Sequence, residues 1–251
     1  MAEETVDSLR KGLAMLRSFR QARQQTITEA AAATGMTRAA ARRFLRTLCE
    51  EGLARSDGKH FELTAAVLEL GSGYLTGMTE LDTFRDVLAD LTSQFGESAS
   101  AATLEGQDVV YIARSAARHR VMTTNLAVGT RLPAHATSMG QAILAQLNHN
   151  ELDHYFSRAK LDAFTPHTLT TKQEIRQRLD RVRTLGYALV SEELELGLRS
   201  IAVAVPGRSR HARLAINIST HANRTSEETL RERYLPELLR AAERVSLVAL
   251  L

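Results

Sequence analysis

Four arginines, Arg38, Arg42, Arg43 and Arg46, fall within nine residues that contain no acidic side chain. Guanidinium groups at this density suit phosphate oxygens, and a single guanidinium fork can also bond O6 and N7 of guanine together. Wound as a helix from Thr37 to about Glu51, the segment puts Arg42, Arg43, Arg46 and Ala39 on one side, with Arg38 at the border. Ala41, Phe44, Leu45 and Leu48 fall on the other side, so one face packs and the other presents cations. Charge alone would favour a solvated helix face. A second stretch, Thr137-Ser138-Met139-Gly140, follows Pro133 where a helix begins. Free N–H groups and the helix dipole at such a start can hold a carboxylate, although local sequence by itself reads as an ordinary capped helix.

Other chemistries find little support. No G-x-S-x-G, P-loop, H-E-x-x-H or G-x-G-x-x-G motif occurs. His135 and Ser138 are three residues apart near a helix start, but no orienting acid accompanies them, so catalysis is not expected. The eight histidines lack metal-ligand spacing, and the single cysteine, Cys49, excludes an internal disulfide or a cysteine-based zinc site. A small packed thiol is the reading for Cys49. No cofactor and no metal are expected.

The elements around the arginines give them a context. Ser8 to Phe19 reads as a helix with Leu9, Leu13, Leu16 and Met15 at helical spacing. QARQQ is a polar connector, and Thr26 or Thr28 caps a second helix that ends at Gly35. Thr37 caps the arginine helix and Gly52 stops it. LARSDGKHFELT then alternates around an Asp57-Gly58 turn, which predicts a two-stranded hairpin. Helix, helix-turn-helix and hairpin in this order form a winged helix-turn-helix. In such a unit the N-terminal half of the third helix reads bases, which points to Thr37, Arg38, Ala39, Arg42 and Arg43. Arg46 is assigned to a phosphate or to Glu50, and Arg55 and Lys59 on the wing to phosphates. Residues 1–63 carry 11 basic against 8 acidic side chains, whereas residues 64–251 carry 21 of each, so the surplus of +3 lies in this unit.

Thr64 to about Met78 reads as a helical linker, and a second domain begins near Glu80. It opens with a helix over Leu81–Phe95. Strands follow at Ser98–Leu104 and Val109–Ala113, joined by the turn EGQD, with a third candidate at Val121–Thr124. Helices are predicted after Pro133 and over Glu151–Arg158 and Lys172–Leu185, and short β-rich runs over Tyr187–Val190, Ile201–Val205 and Leu214–Ile218. A last helix runs from a Ser226 cap to about Val248, with Pro236 placed to kink it. The class is therefore α+β, divided as residues 1–63, a helical linker over 64–79, and a domain over 80–251. Of the 251 residues, 44% are hydrophobic and 24% charged, an ordinary globular composition. No apolar run of about 18 residues is present and the acidic, polar N-terminus is not a secretory signal, so a cytoplasmic protein without membrane contact is expected.

Three stretches resemble the IclR family of bacterial transcriptional regulators. SLRKGLAMLRSF is similar to the family's opening helix, and MTRAAARRFLRTLCEEGLARSDGKHFELT to its recognition helix and wing. GTRLPAHATSMGQAILA, ELELGLRSIAVAV and LAINIST are similar to the signature segments of its effector domain. Within the family, ARRFLRTL, RLPAHATSMG and NISTHANRTSEETLRERYLPEL resemble regulators of aromatic-acid catabolism through the protocatechuate, 4-hydroxybenzoate and β-ketoadipate route.

The resemblance implies a winged helix-turn-helix joined by a helical linker to a GAF-like α/β effector-binding domain. It also implies dimers, often paired into tetramers, on double-stranded operator DNA, and a small carboxylate as effector. It gives a ligand role to Thr137, Ser138, Met139 and Gly140, and places Ser200, Asn217 and Ser219 where the family presents polar groups to the ligand. Met139 and Leu198 would form an apolar wall. Asn217 stands where serine is common in the family. Arg199 is a neighbour of Ser200 on a strand and should point to the opposite face. Other small organic acids remain alternatives for the effector. A constitutive repressor whose C-terminal domain only oligomerises is the alternative function.

Overall fold

A computed structural model describes residues 5–20, 22–78, 81–117, 126–206 and 214–249. The strand expected at Val121–Thr124 lies outside the described residues. The chain forms two compact units, Met1–Gly77 and Met78–Leu251.

The N-terminal unit runs α1 (Asp7–Ser18), β1 (Gln24–Thr26), α2 (Ile27–Thr34), α3 (Arg38–Glu50), β2 (Ala54–Ser56) and β3 (His60–Leu63). Thr26, not Thr28, caps α2: its side chain accepts from the Glu29 N–H while Glu29 accepts from the Thr26 N–H, a reciprocal capping box. Gly35 then ends α2 in the left-handed conformation, at φ 67°. Met15, Ala30, Ala41 and Leu45 are fully buried at the centre, with Phe19, Leu48 and Phe61 around them. Leu9 and Leu13, which helical spacing had placed on the packed face of α1, are instead exposed. The three strands pair in the order β1-β3-β2. The polar connector QARQQ therefore ends in a strand, and Gln25 is buried with its amide donating to Ser18 Oγ at 3.3 Å. Three residues of Gln, Gln and Thr carry no apolar alternation by which a strand could be read.

The segment that follows is less regular than a single helical linker. Ala65–Leu68 is a 3₁₀ turn capped by Thr64, and α4 covers only Glu69–Thr76.

In the C-terminal unit, α5 (Leu81–Phe95) precedes the hairpin of β4 (Ser98–Glu105) and β5 (Asp108–Ser115). After these come β6 (Arg131–Pro133), a 3₁₀ turn at Ala134–Ala136, α6 (Ser138–Leu144), α7 (His149–Arg158) and α8 (Lys172–Leu185). The strands β7 (Ala188–Ser191), β8 (Leu198–Val205) and β9 (Leu214–His221) complete an antiparallel sheet ordered β6-β5-β4-β9-β8-β7. The chain ends in α9 (Glu227–Thr229), a π-helical turn at Leu230–Tyr234 and α10 (Leu235–Ala249). Ser226 does cap this segment, and the wide turn sits directly before Pro236, whose ring removes one N–H from the helical ladder.

Strand alternation divides the sheet into two faces. Ile201, Val203, Ile216 and Ile218 point to the side of α5 and α10. Ala102, Tyr111, Ala202 and Ala215 join Met139, Leu144, Tyr155 and Leu179 in the core under α6, α7 and α8. Residues opposed across β4, β9 and β8 lie on this second face in two rows: Ser98, Ser219 and Ser200, then Ser100, Asn217 and Ala202. Among the described residues no helix is long and apolar enough to cross a membrane.

Candidate functional site

Each unit presents one set of the residues singled out by sequence. On α3, Thr37 is the N-cap, its hydroxyl accepting from the Ala40 N–H at 3.2 Å. Thr37, Arg38, Ala39, Arg42, Arg43 and Arg46 are all exposed, while Ala41, Leu45 and Leu48 are buried on the other side. Among the described residues none of the four arginines is in an ion pair, and Arg46 does not pair with Glu50. A guanidinium four positions from a carboxylate on an exposed helix gains little from pairing, so solvent wins.

The wing is different. Arg55 Nε lies 2.5 Å from Glu62, which also accepts from Gln24 at 3.1 Å, so this cation has a protein partner. Lys59 sits at the tip beside Gly58, which takes φ 97°. Asp57 accepts from the N–H groups of Lys59 and His60 at 2.8 and 2.7 Å. Those backbone bonds hold its carboxyl down at about 2. Cys49 is half-buried and burial pushes its thiol up, the reverse of what a reactive thiolate needs.

In the C-terminal unit, the start of α6 is brought against the rows of sheet residues. Ser200 Oγ donates to Ser138 Oγ at 2.8 Å, both side chains being buried. Asn217 Nδ2 donates to Ser219 Oγ at 3.0 Å. Asn217 Oδ1 is buried without a hydrogen-bond partner among the described residues; the only other such side-chain atom is the Tyr155 hydroxyl. Leu198 lies on β8 two residues before Ser200 and is buried. Met139 is fully buried in the core under α6.

The structure gives Gly140 a packing reason and takes one of the free N–H groups. A Cβ on Gly140 would fall 2.1 Å from the Ala134 carbonyl oxygen and 2.4 Å from Ala134 Cα. The glycine is there because the helix crosses the backbone of its own preceding turn, not because a ligand needs room. The Gly140 N–H is also taken, by Thr137 Oγ1 at 3.2 Å, and the Gln141 N–H goes to the Thr137 carbonyl. Thr137 is thus a cap whose hydroxyl points along the chain to Pro133 and Gly140.

His135 and Ser138 do not form a pair. The His135 ring bonds the Asp162 carbonyl at 3.1 Å, and its burial pushes the imidazole pKa down. Arg199 is tied to Ser191 and to the carbonyls of Ala222 and Thr225, on the opposite face from Ser200 as expected. Gln141 bonds the His135 carbonyl and Glu193, which is buried against Arg178 at 2.8 Å; desolvation raises the Glu193 carboxyl despite that partner. This network pins α6 to α8 and to the loop after β7.

Sequence reading missed Arg114. It stands opposite Ser100 on β5, and its guanidinium donates to Ser100 Oγ at 3.4 Å and Ser98 Oγ at 3.3 Å. Plain alternation would send Tyr111 and Arg114 to opposite faces. A β-bulge intervenes: Tyr111 faces Ala102 and Ala113 faces Ala101, leaving Ile112 as the extra residue. Tyr111 and Arg114 consequently share the face under α6. The sequence holds no local signal for this insertion.

Comparison with known proteins accords with this geometry. The family model of the IclR helix-turn-helix domain matches residues 8–58, and that of the bacterial transcriptional regulator IclR C-terminal region matches residues 73–247. The Pca regulon regulatory protein of Pseudomonas putida is 41% identical over 94% of this chain and 81% of its own length. The crystal structure of a transcriptional regulator from Rhodococcus sp. RHA1 superposes with a TM-score of 0.84 at 39% identity, over 98% of both chains. The inducer-binding domain of the PobR transcription factor from Acinetobacter, solved as a double mutant with 3-hydroxybenzoic acid, matches 64% of this chain and 94% of its own, with TM-score 0.60 and 32% identity.

Proposed function

The chain belongs to the IclR family of bacterial transcriptional regulators, and from that premise we propose that it controls genes of aromatic-acid catabolism in response to a small carboxylate. It is a DNA-binding regulator and not an enzyme. In this reading Arg38, Arg42 and Arg43, with Thr37 and Ala39, meet base edges and phosphates in the major groove, and Arg46 and Lys59 meet phosphates. Arg55 holds Glu62 through Nε and keeps its terminal N–H groups for a phosphate. The division of labour follows residues 1–63 for DNA, 64–79 as linker and 80–251 for effector and assembly.

The observation that carries the effector reading is the sheet face under α6. There Ser138, Ser200, Asn217 and Ser219 converge on a region where one buried acceptor, Asn217 Oδ1, lacks a partner. A buried acceptor left empty costs free energy that a ligand hydroxyl would recover. Leu198 lines the same face, while Thr137, Met139 and Gly140 shape it from behind through packing.

The working form on DNA is a homodimer, or a pair of dimers, in the cytoplasm. Val6 just before α1, Leu9 and Leu13 on it, and Leu68, Leu70 and Tyr74 in the linker are exposed large apolar side chains, the kind of surface that a second copy covers. Two half-sites also supply the specificity that one winged helix lacks.

Footprinting of the gene's own upstream region, with protocatechuate, 4-hydroxybenzoate or β-ketoadipate added in turn, tests the whole proposal. One of these acids should change the footprint and raise Tm in proportion to the logarithm of its concentration. If none of the three moves either readout, the aromatic-catabolism reading fails.

A further inference from the structure

We propose that Arg114 is the anchor for the effector's carboxylate, so that the ligand lies across the strands with its acid over β4 and β5 and its hydroxyl toward Asn217. The inference rests on the effector reading above and adds where the charge goes.

A guanidinium stays charged at any ordinary pH. Arg114 is nonetheless partly withdrawn from water; its hydrogen-bond partners among the described residues are two neutral serines, and no carboxylate among those residues forms an ion pair with it. Burial pushes its pKa down, which is the signature of a cation that has lost water without gaining an anion. A desolvated charge lacking a counter-charge is unfavourable, and a carboxylate arriving there relieves it.

The serines complete an acid-binding cluster. Ser98 and Ser100 both accept from the guanidinium through Oγ, and Ser98 accepts from the Ala117 N–H at 3.0 Å as well. With their oxygens occupied as acceptors, both hydroxyl protons remain to be donated. A fork of N–H donors flanked by two O–H donors is well matched to the two oxygens of a carboxylate.

The next strand supplies the other end. Ser100 is paired with Asn217, so the residue that carries the orphan Oδ1 stands one strand, about 5 Å between backbones, from a serine that Arg114 touches. That atom accepts only. The ligand must therefore bring a donor one strand away from its acid, a requirement that a hydroxyl on a benzoate ring meets. The start of α6 adds the Ser138 hydroxyl, which accepts from Ser200, while its Gly140 N–H is already engaged by Thr137.

Calorimetry on the full chain separates the possibilities, with 4-hydroxybenzoate, protocatechuate and β-ketoadipate as acids and 4-hydroxybenzamide as the neutral analogue. Wild type should prefer an acid over the amide by roughly 30-fold, the usual value of a charge-assisted pair. Arg114→Gln should lose that factor for the acid, keep the amide within about threefold, and bind operator DNA as before. Arg114→Lys, a milder change that guards against misfolding, should keep the preference for acid at weaker affinity, since a point charge replaces the fork. An unchanged acid-to-amide ratio in Arg114→Gln, or equal loss of acid and amide in Arg114→Lys, overturns the anchor while leaving the effector reading standing. Failure of wild type to bind any of the acids overturns both.

Discussion

On α3 four arginines stand in solvent with no partner among the described residues, whereas on the sheet face of the C-terminal unit the serines and Asn217 are tied to one another and largely shut away from water. The contrast is the one that the proposed roles of the two surfaces require. DNA arrives as an extended polyanion, and cations held in water cost nothing to maintain and gain by releasing counterions. A small acid gains little from an exposed charge. It needs donors and acceptors held in place before it arrives, in a setting where each bond is worth more because water is excluded. One site is therefore built from charge at the surface, and the other from register in the interior.

If that contrast holds, substitution at Gly140 has the largest effect of any considered. Gly140→Val drives a side chain into the Ala134 backbone, which cannot yield as a flexible side chain would. The C-terminal unit should lose more than about 3 kcal/mol of stability, visible as a lower Tm and lost near-ultraviolet dichroism. A variant with wild-type Tm that merely fails to bind effector would show that the glycine serves the ligand after all.

Next come Arg42→Ala and Arg43→Ala. Each should weaken operator binding about tenfold and reduce the slope of log affinity against log salt by about 0.9, with stability changed by no more than about 0.5 kcal/mol. Wild-type binding at every salt concentration would remove α3 from the DNA interface and dissolve the comparison.

A smaller effect belongs to the buried hydroxyl pair. Ser138→Ala or Ser200→Ala leaves one partner unsatisfied and should cost about 1–2 kcal/mol of stability, while the double variant costs less than the two single changes added together. Denaturant melts of the three proteins measure that coupling. Strict additivity would mean the two hydroxyls do not share a bond.

The smallest effect is at the wing. Asp57 has a folded pKa of about 2 against an ordinary 3.8, so its contribution is present above pH 4 and fades as pH falls toward 2. Amide exchange at Lys59 and His60 should quicken across that window while amides of Leu45 and Leu48 do not change. Uniform loss of protection would mark global unfolding of the unit rather than release of the turn.

Much of this was readable along the chain. Thr37 and Ser226 are caps, α5 and α8 span the predicted residues, and the arginine face of α3 emerges from winding alone, while the choice of Thr26 over Thr28 came from the structure. β1 was not readable, because a strand of Gln, Gln and Thr exists only through pairing with β3. The effector residues were named from family resemblance, and resemblance could say neither that Gly140 answers to Ala134 nor that Arg114 joins them.

The division has a physical origin. A helix, its cap and the side on which its cations stand depend on bonds between residues three or four apart, so the amino-acid order determines them directly. Ser100 meets Asn217 only because β4 is laid beside β9, more than a hundred residues on, and Arg114 meets both serines only because Ile112 is bulged out of β5. Register and bulge are settled by the packing of the whole sheet, since a slip of one residue would turn every side chain to the opposite face. The sequence by itself thus determined where the exposed arginines of α3 lie, and only the tertiary structure decided which buried groups face one another across the sheet.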